Sequence, residues 1–204
     1  MFEIDQADGR SHPVKAYQSL PEGYREILQI NLQKDKQAAL KISIGGGIAM
    51  FILLVIGSLI VPIREFFSMG FSGNTLLKIG VLLLGYIAYI ILHELTHAAV
   101  MKAVGWGRVV FGFTGLYAFA GSKEDFFDKA AYRYIALAPL VLWGIIFAVM
   151  SAAVPHGWFW VIWFLQAGNI GGAAGDVFVT IKLWKKPASI LVMDTGVDMT
   201  VFDR

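Results

Sequence analysis

The chain has 204 residues, of which 57% are hydrophobic and only 16% charged, with a net charge of +2 and a mean hydropathy of +0.64. That balance is too apolar for a soluble domain of this length, and its scattered lysines and arginines form no basic face for nucleic acid. Cysteine is absent, which excludes disulfides and thiolate ligands, so any metal must be held by His, Asp, Glu or Asn.

The apolar residues fall in blocks long enough to cross a bilayer, about 20 residues each. The fold class expected is an all-α polytopic membrane protein: four transmembrane helices, a short β-hairpin-like loop after the second, and small polar terminal segments. Residues 1–41 form a polar N-terminal segment of mixed charge, without the features of a signal peptide. Asp8-Gly9 and Pro13 mark turns, and Arg25 to Leu32 reads as a short amphipathic helix at the membrane surface. Residues 42–183 are the membrane domain. Its first helix, about 42–63, opens with Gly45-Gly46-Gly47, which permits close helix contact. A loop with Gly70 and Gly73 follows.

The second helix, about 76–104, carries His93-Glu94-Leu95-Thr96-His97. Ionisable side chains in an apolar span are candidates for function. Positions i and i+4 share a helix face, so His93 and His97 can grip one metal ion, and Glu94 stands one step round, placed to act as a base. Four His and six Glu occur in the chain, and at that frequency the pattern arises by chance in roughly 0.2% of sequences of this length. The bland alternative, two histidines bonded to a neighbouring helix, leaves Glu94 buried without a partner.

Gly105 to Lys129 is the longest interhelical loop. Arg108 to Ala120 (RVVFGFTGLYAFA) reads as an extended hairpin. Ser122 to Lys129 reads as the start of the next helix, with Ser122 as cap and Asp125 in the first turn. The third helix, about 132–154, contains Pro139, a kink signal. The fourth, about 158–183, has Trp158, Trp160, Trp163 and Trp184 near its ends as interfacial anchors. Residues 184–204 are a polar tail, with a small hairpin expected from Ile190 to Phe202 around Asp194-Thr195-Gly196. Lys and Arg concentrate before the first helix, in the long loop and after the last helix, which places both termini and that loop in the cytoplasm and the chain in the cell membrane.

Catalytic zinc takes three protein ligands and keeps a position for water. The candidates for the third are His12, His156, Glu124, Asp125, Asp128 and Asp176. His156 lies in a turn at the opposite end of the helices, and His12 in a polar arm. Glu124, Asp125 and Asp128 read as a solvated helix start. Asp176 stands about seven residues from the end of its helix, roughly 10 Å of rise, and His97 stands as far from the end of its own. With both helices running toward the cytoplasm, the two come out at one depth. Pairing with Lys182 or Arg133 is the alternative for Asp176. Asn169 lies seven residues before Asp176, on the same helix face, with Gly172 and Ala173 between them. It is a candidate for a hydrogen bond to a substrate carbonyl or a ligand.

Leu20-Pro21-Glu22-Gly23-Tyr24, Ile30-Asn31-Leu32, the His93–His97 motif, Ala136-Leu137-Ala138-Pro139-Leu140 and the stretch from Asn169 to Gly175-Asp176 together resemble the zincin peptidase family of small bacterial membrane proteins. That family is related in plan to the site-2 protease class of intramembrane zinc metalloproteases. The resemblance implies that His93, His97 and Asp176 are Zn2+ ligands and Glu94 the base. It implies hydrolysis of peptide bonds in membrane-associated substrates by zinc-activated water, with a membrane protein or peptide and the lipid bilayer as partners. Site-2 proteases carry Asn-x-x-Pro leading to Asp-Gly; here Gly172 stands for the proline, and the order is Gly175-Asp176. A catalytically inactive zinc-binding membrane adaptor and a metal transporter are the competing readings.

Overall fold

A computed structural model describes residues 16–67, 73–115 and 117–204. Twelve elements are found there. In chain order they are β1 (Ala16–Tyr17), β2 (Arg25–Ile30), α1 (Lys36–Ile60), α2 (Arg64–Phe67), α3 (Gly73–Val104), β3 (Val109–Phe113), β4 (Ala118–Asp128), α4 (Lys129–Ala153), α5 (His156–Gly172), α6 (Ala174–Trp184), β5 (Leu191–Asp194) and β6 (Met199–Asp203). His12, Asp8-Gly9, Pro13 and Gly70 lie outside the described residues.

Three helices are long and apolar enough to cross a membrane: Lys36–Ile60, Asn74–Val104 and Lys129–Ala153. Their outward faces carry large apolar side chains that only lipid would tolerate in such number; Leu59, Leu84 and Ile145 are 81%, 69% and 61% exposed. The single helix expected over 158–183 is instead two, α5 and α6, broken at Ala173. Gly171 and Gly172 precede the break, and glycine pairs weaken helix continuity.

The innermost helix is α5, which contributes the buried Trp160, Val161 and Ala167. Glycine lets it approach α1: a Cβ on Gly46 would lie 2.5 Å from the Gly171 carbonyl oxygen, whereas Gly45 and Gly47 face open space. Two of the expected interfacial tryptophans pack inward, Trp160 buried and Trp163 half-buried. Trp160 donates its indole N–H to the Val61 carbonyl at 3.0 Å, and Trp163 donates to the Leu53 carbonyl at 2.7 Å beside Gly57. A buried indole needs such an acceptor, and both clamp α5 onto the α1 end. Trp184 stays exposed.

The chain is not all-α. Six antiparallel strands form one sheet in the order β1-β4-β5-β6-β2, with β3 also paired to β4. Residues 25–30 are strand β2, paired with β6, rather than an amphipathic helix; Leu28 and Ile30 are the half-buried pair in it. Two-residue spacing turns both side chains to the same face. The tail does form the expected hairpin, as β5 and β6 pair from Leu191↔Phe202 to Asp194↔Met199. The largest correction falls on 122–128. That stretch is the second half of β4, and the helix starts only at Lys129, capped by Asp128 accepting from the Ala131 N–H at 2.7 Å.

The polar spacing Ser122, Glu124, Asp125 has a different cause. β4 is bulged against β5 between Ser122 and Phe127, and a bulge re-aims the side chains within it. Asp125, only 1% exposed, thereby accepts from the Trp106 and Gly107 N–H groups, both at 2.9 Å, and from the Ser122 hydroxyl at 2.8 Å. It ties the chain leaving α3 to the sheet. Met101, Phe127, Tyr132, Ile135, Leu183, Val192 and Val201 belong to one buried cluster that joins the sheet to the ends of α3, α4 and α6.

Candidate metal centre

His93 and His97 lie one turn apart on α3, and Asp176 stands in the first turn of α6. The break at Ala173 makes Asp176 the third residue of a new helix, where the helix dipole favours an anion. Its carboxylate meets both imidazoles: His93 Nε2 is 3.4 Å from Oδ2 and His97 Nε2 is 3.6 Å from Oδ1. The two Nε2 atoms are 3.2 Å apart. Among the described residues this is the group of His, Asp and Glu side chains that could hold a metal, with ligand atoms all within 4.8 Å of one another.

The donor chemistry fits zinc. A tetrahedral zinc with bonds of about 2.0–2.1 Å separates its ligand atoms by about 3.3 Å, close to the three spacings here. His97 supplies a second test. Its Nδ1 is 2.8 Å from the Ile135 carbonyl oxygen, and a carbonyl only accepts, so Nδ1 carries the hydrogen and Nε2 of the neutral ring is a bare lone pair. Pro139 explains why that carbonyl is available: in α4 the N–H of residue 139 would bond to it, and proline has none. The kink signal in the sequence therefore has a local consequence at the site.

Glu94 is half-buried, and its carboxyl accepts a hydrogen bond from the Ala120 backbone in β4. Glu94, both histidines and Asp176 line a cavity of about 470 Å³ whose far wall includes Phe113 and Phe119. Tyr132 and Asp194 lie on the same wall, with the Tyr132 hydroxyl donating to Asp194 Oδ2 at 2.5 Å and the Gly196 N–H to Oδ1 at 2.7 Å. Burial pushes the Asp194 carboxyl above the usual carboxylate range, and those two hydrogen bonds counteract part of the rise.

The other candidates are elsewhere. His156 is the exposed first residue of α5. Asp125 and Asp128 are committed to backbone N–H groups, and Glu124 accepts from the Arg108 N–H at 3.2 Å. Arg133 stacks on Trp184, its guanidinium carbon 4.8 Å from the ring centre, rather than pairing with Asp176. Asn169 and Asp176 stand on different helices, on either side of the break at Ala173. Asn169 is fully buried, accepts from the Tyr89 hydroxyl at 2.8 Å and donates to the Leu140 carbonyl at 3.1 Å. It is not among the residues that line the cavity. Tyr89 and Tyr132 escaped the sequence reading, which placed Asp194 only in the tail hairpin. Tyr89 had a signal: it precedes His93 by four residues, so it lies on the ligand face of α3.

No curated protein and no solved structure matches the chain. A family model with the description "Putative zincin peptidase" matches residues 86–191, a span that runs from the turn before the motif to β5 and includes His93, Glu94, His97 and Asp176. With that match over more than half its length, the chain belongs to this zincin peptidase family, and the span includes the three side chains that could hold a metal.

Proposed function

We propose that the protein is a membrane-embedded zinc metallopeptidase, in which His93, His97 and Asp176 hold Zn2+ and Glu94 is the catalytic base. One observation carries this reading: three lone-pair donors from α3 and α6 converge on one point, with a further carboxylate beside them at the wall of a cavity. Four such acceptors without a cation between them repel one another, and a divalent ion resolves the conflict. When bound, zinc supplies Lewis acidity toward water and toward the scissile carbonyl. Glu94 takes the proton of the attacking water and returns it to the leaving amine. The Ala120 backbone hydrogen-bonds the Glu94 carboxyl and helps to hold it beside the metal position. The retained base favours an enzyme over a structural zinc site or an inactive adaptor, neither of which needs one.

The substrate class follows from the setting. α5 and α6 together complete a fourth crossing, both termini and the β3–β4 region face the cytoplasm of the cell, and the site opens toward that side. The substrate is a membrane protein or peptide that unwinds near the bilayer surface. An unwound segment can pair along β3, which among the described residues is bonded to β4 alone. The test is purified protein in proteoliposomes with a membrane-anchored reporter substrate. Glu94→Gln should keep one zinc per chain and lose peptide cleavage by at least about 100-fold; retention of full cleavage by this variant overturns the proposal.

A further inference from the structure

We propose that Tyr89 and Asn169 are positioning residues that fix which nitrogen of His93 faces the metal. This deepens the zinc reading and rests on it. Asn169 Nδ2 donates to the Leu140 carbonyl at 3.1 Å, which fixes the amide with Oδ1 turned toward Tyr89. Oδ1 has no hydrogen, so the Tyr89 hydroxyl donates to it, at 2.8 Å. A phenol has one hydrogen. Toward His93 Nδ1, 2.9 Å away, the Tyr89 oxygen therefore can only accept. Nδ1 of His93 must carry the hydrogen, and Nε2 is left as a lone pair aimed at Asp176 and His97.

His97 reaches the same state by the shorter route through the Ile135 carbonyl. Both routes end on main-chain oxygens of α4, on either side of Pro139. A backbone carbonyl cannot turn into a donor, so in its neutral form neither histidine presents an N–H to the metal position. Asn169 acts at two removes and touches neither the cavity nor the metal position.

Two measurements on the full chain in detergent micelles test this. The first is zinc affinity by competition with a chromophoric chelator. Tyr89→Phe keeps the ring that packs on Phe147 and Trp143 but removes the acceptor, and it should weaken zinc binding about 10–100-fold. Asn169→Ala should weaken it within the same range, and the double variant should be no worse than Tyr89→Phe alone, because the three groups act as one chain. Roles in packing alone would add. The second is ¹⁵N NMR of labelled histidine in zinc-free protein. The wild type should show His93 protonated at Nδ1. In Asn169→Ala the Tyr89 hydrogen has only Nδ1 to turn to, and the ring hydrogen should move to Nε2.

Wild-type zinc affinity in both single variants, or a wild-type His93 protonated at Nε2, overturns the proposal. Failure of the zinc reading looks different: the wild type then binds no stoichiometric zinc, or His93→Ala binds it equally well, while the NMR result still decides the relay.

Discussion

Gly46→Ala should damage a metal site to which α1 contributes no ligand. A Cβ on Gly46 would lie 2.5 Å from the Gly171 carbonyl oxygen and 3.0 Å from the Ala174 Cβ. Those two atoms flank the break at Ala173, and Ala174 is two residues before Asp176. A carbon and an oxygen in contact want more than 3 Å, so the backbones must part by about half an ångström or more, at a cost typical of overpacking, roughly 1–3 kcal/mol. Gly45 and Gly47 are internal controls, because a Cβ on either meets nothing within 4 Å. There Ala should stabilise the helix by up to about 1 kcal/mol through its propensity alone. The propensity gain is common to all three positions, so adjacent glycines should differ by the overpacking cost, roughly 1–3 kcal/mol, in the effect of one methyl group. Reversible unfolding in mixed micelles reads the stability, and chelator competition reads the zinc affinity, which should fall only for Gly46→Ala. If the three variants unfold alike, α5 does not sit against α1 as described and the placement of Asp176 loses its support.

Asp125→Ala should cost roughly 1–3 kcal/mol, since it leaves the buried Gly107 N–H and the part-buried Trp106 N–H without their acceptor; urea unfolding measures it, and a loss under about 0.5 kcal/mol refutes the anchoring role. Asp194 has a folded-state pKa raised by burial above the ordinary 3.8. The folded protein holds that proton more tightly than the unfolded chain does, so the contribution is present below the unfolded value and is lost as pH rises through the folded one. Asp194→Asn should flatten this decline in a series of melting curves from pH 4 upward, and an unchanged slope contradicts it. Pro139→Ala restores an N–H that competes with His97 for the Ile135 carbonyl. Zinc affinity should fall while thermal stability holds or rises, and a parallel change in both argues against the role given to the proline.

The sequence discloses chemistry better than it discloses folding in this chain. His93, Glu94 and His97 are readable because helical spacing converts a five-residue pattern into a face. Asp176 is readable because a carboxylate in an apolar span demands a partner, and equal depth points to the histidines. For Asn169 the rule is weaker: seven-residue spacing implies a shared face in an unbroken helix, and the chain breaks at Ala173 between it and Asp176. The sheet was largely hidden because its pairings are non-local. Strand β2 pairs with β6 across nearly the whole chain, and nothing local in Arg25–Ile30 signals a partner so distant. Asp125 imitates a helix start for a physical reason as well. Short acidic side chains that bind free N–H groups are favoured at helix starts and at turns alike, and here the N–H groups belong to a turn some eighteen residues away.

The sheet solves a problem that the membrane helices cannot. Helices bury their backbone polar groups in their own hydrogen bonds, so a purely helical site offers few free N–H or C=O groups to orient a base or a substrate. Two main-chain groups touch the motif directly, and each has an identifiable origin. Proline frees the Ile135 carbonyl for His97, and β4, whose other side is taken by β3 at Ala120, turns the N–H of that residue toward Glu94. The His97 acceptor comes from a helix made imperfect, and the Glu94 donor from a strand laid against the helix end. A helix-only version of this chain would keep the motif but leave Glu94 without its backbone donor. Substituting proline at Ala120 removes that N–H without changing any residue of the motif, and it should lower peptide cleavage while leaving zinc stoichiometry at one. Cleavage that survives at the wild-type rate in a folded Ala120→Pro protein would show that Glu94 needs no such support.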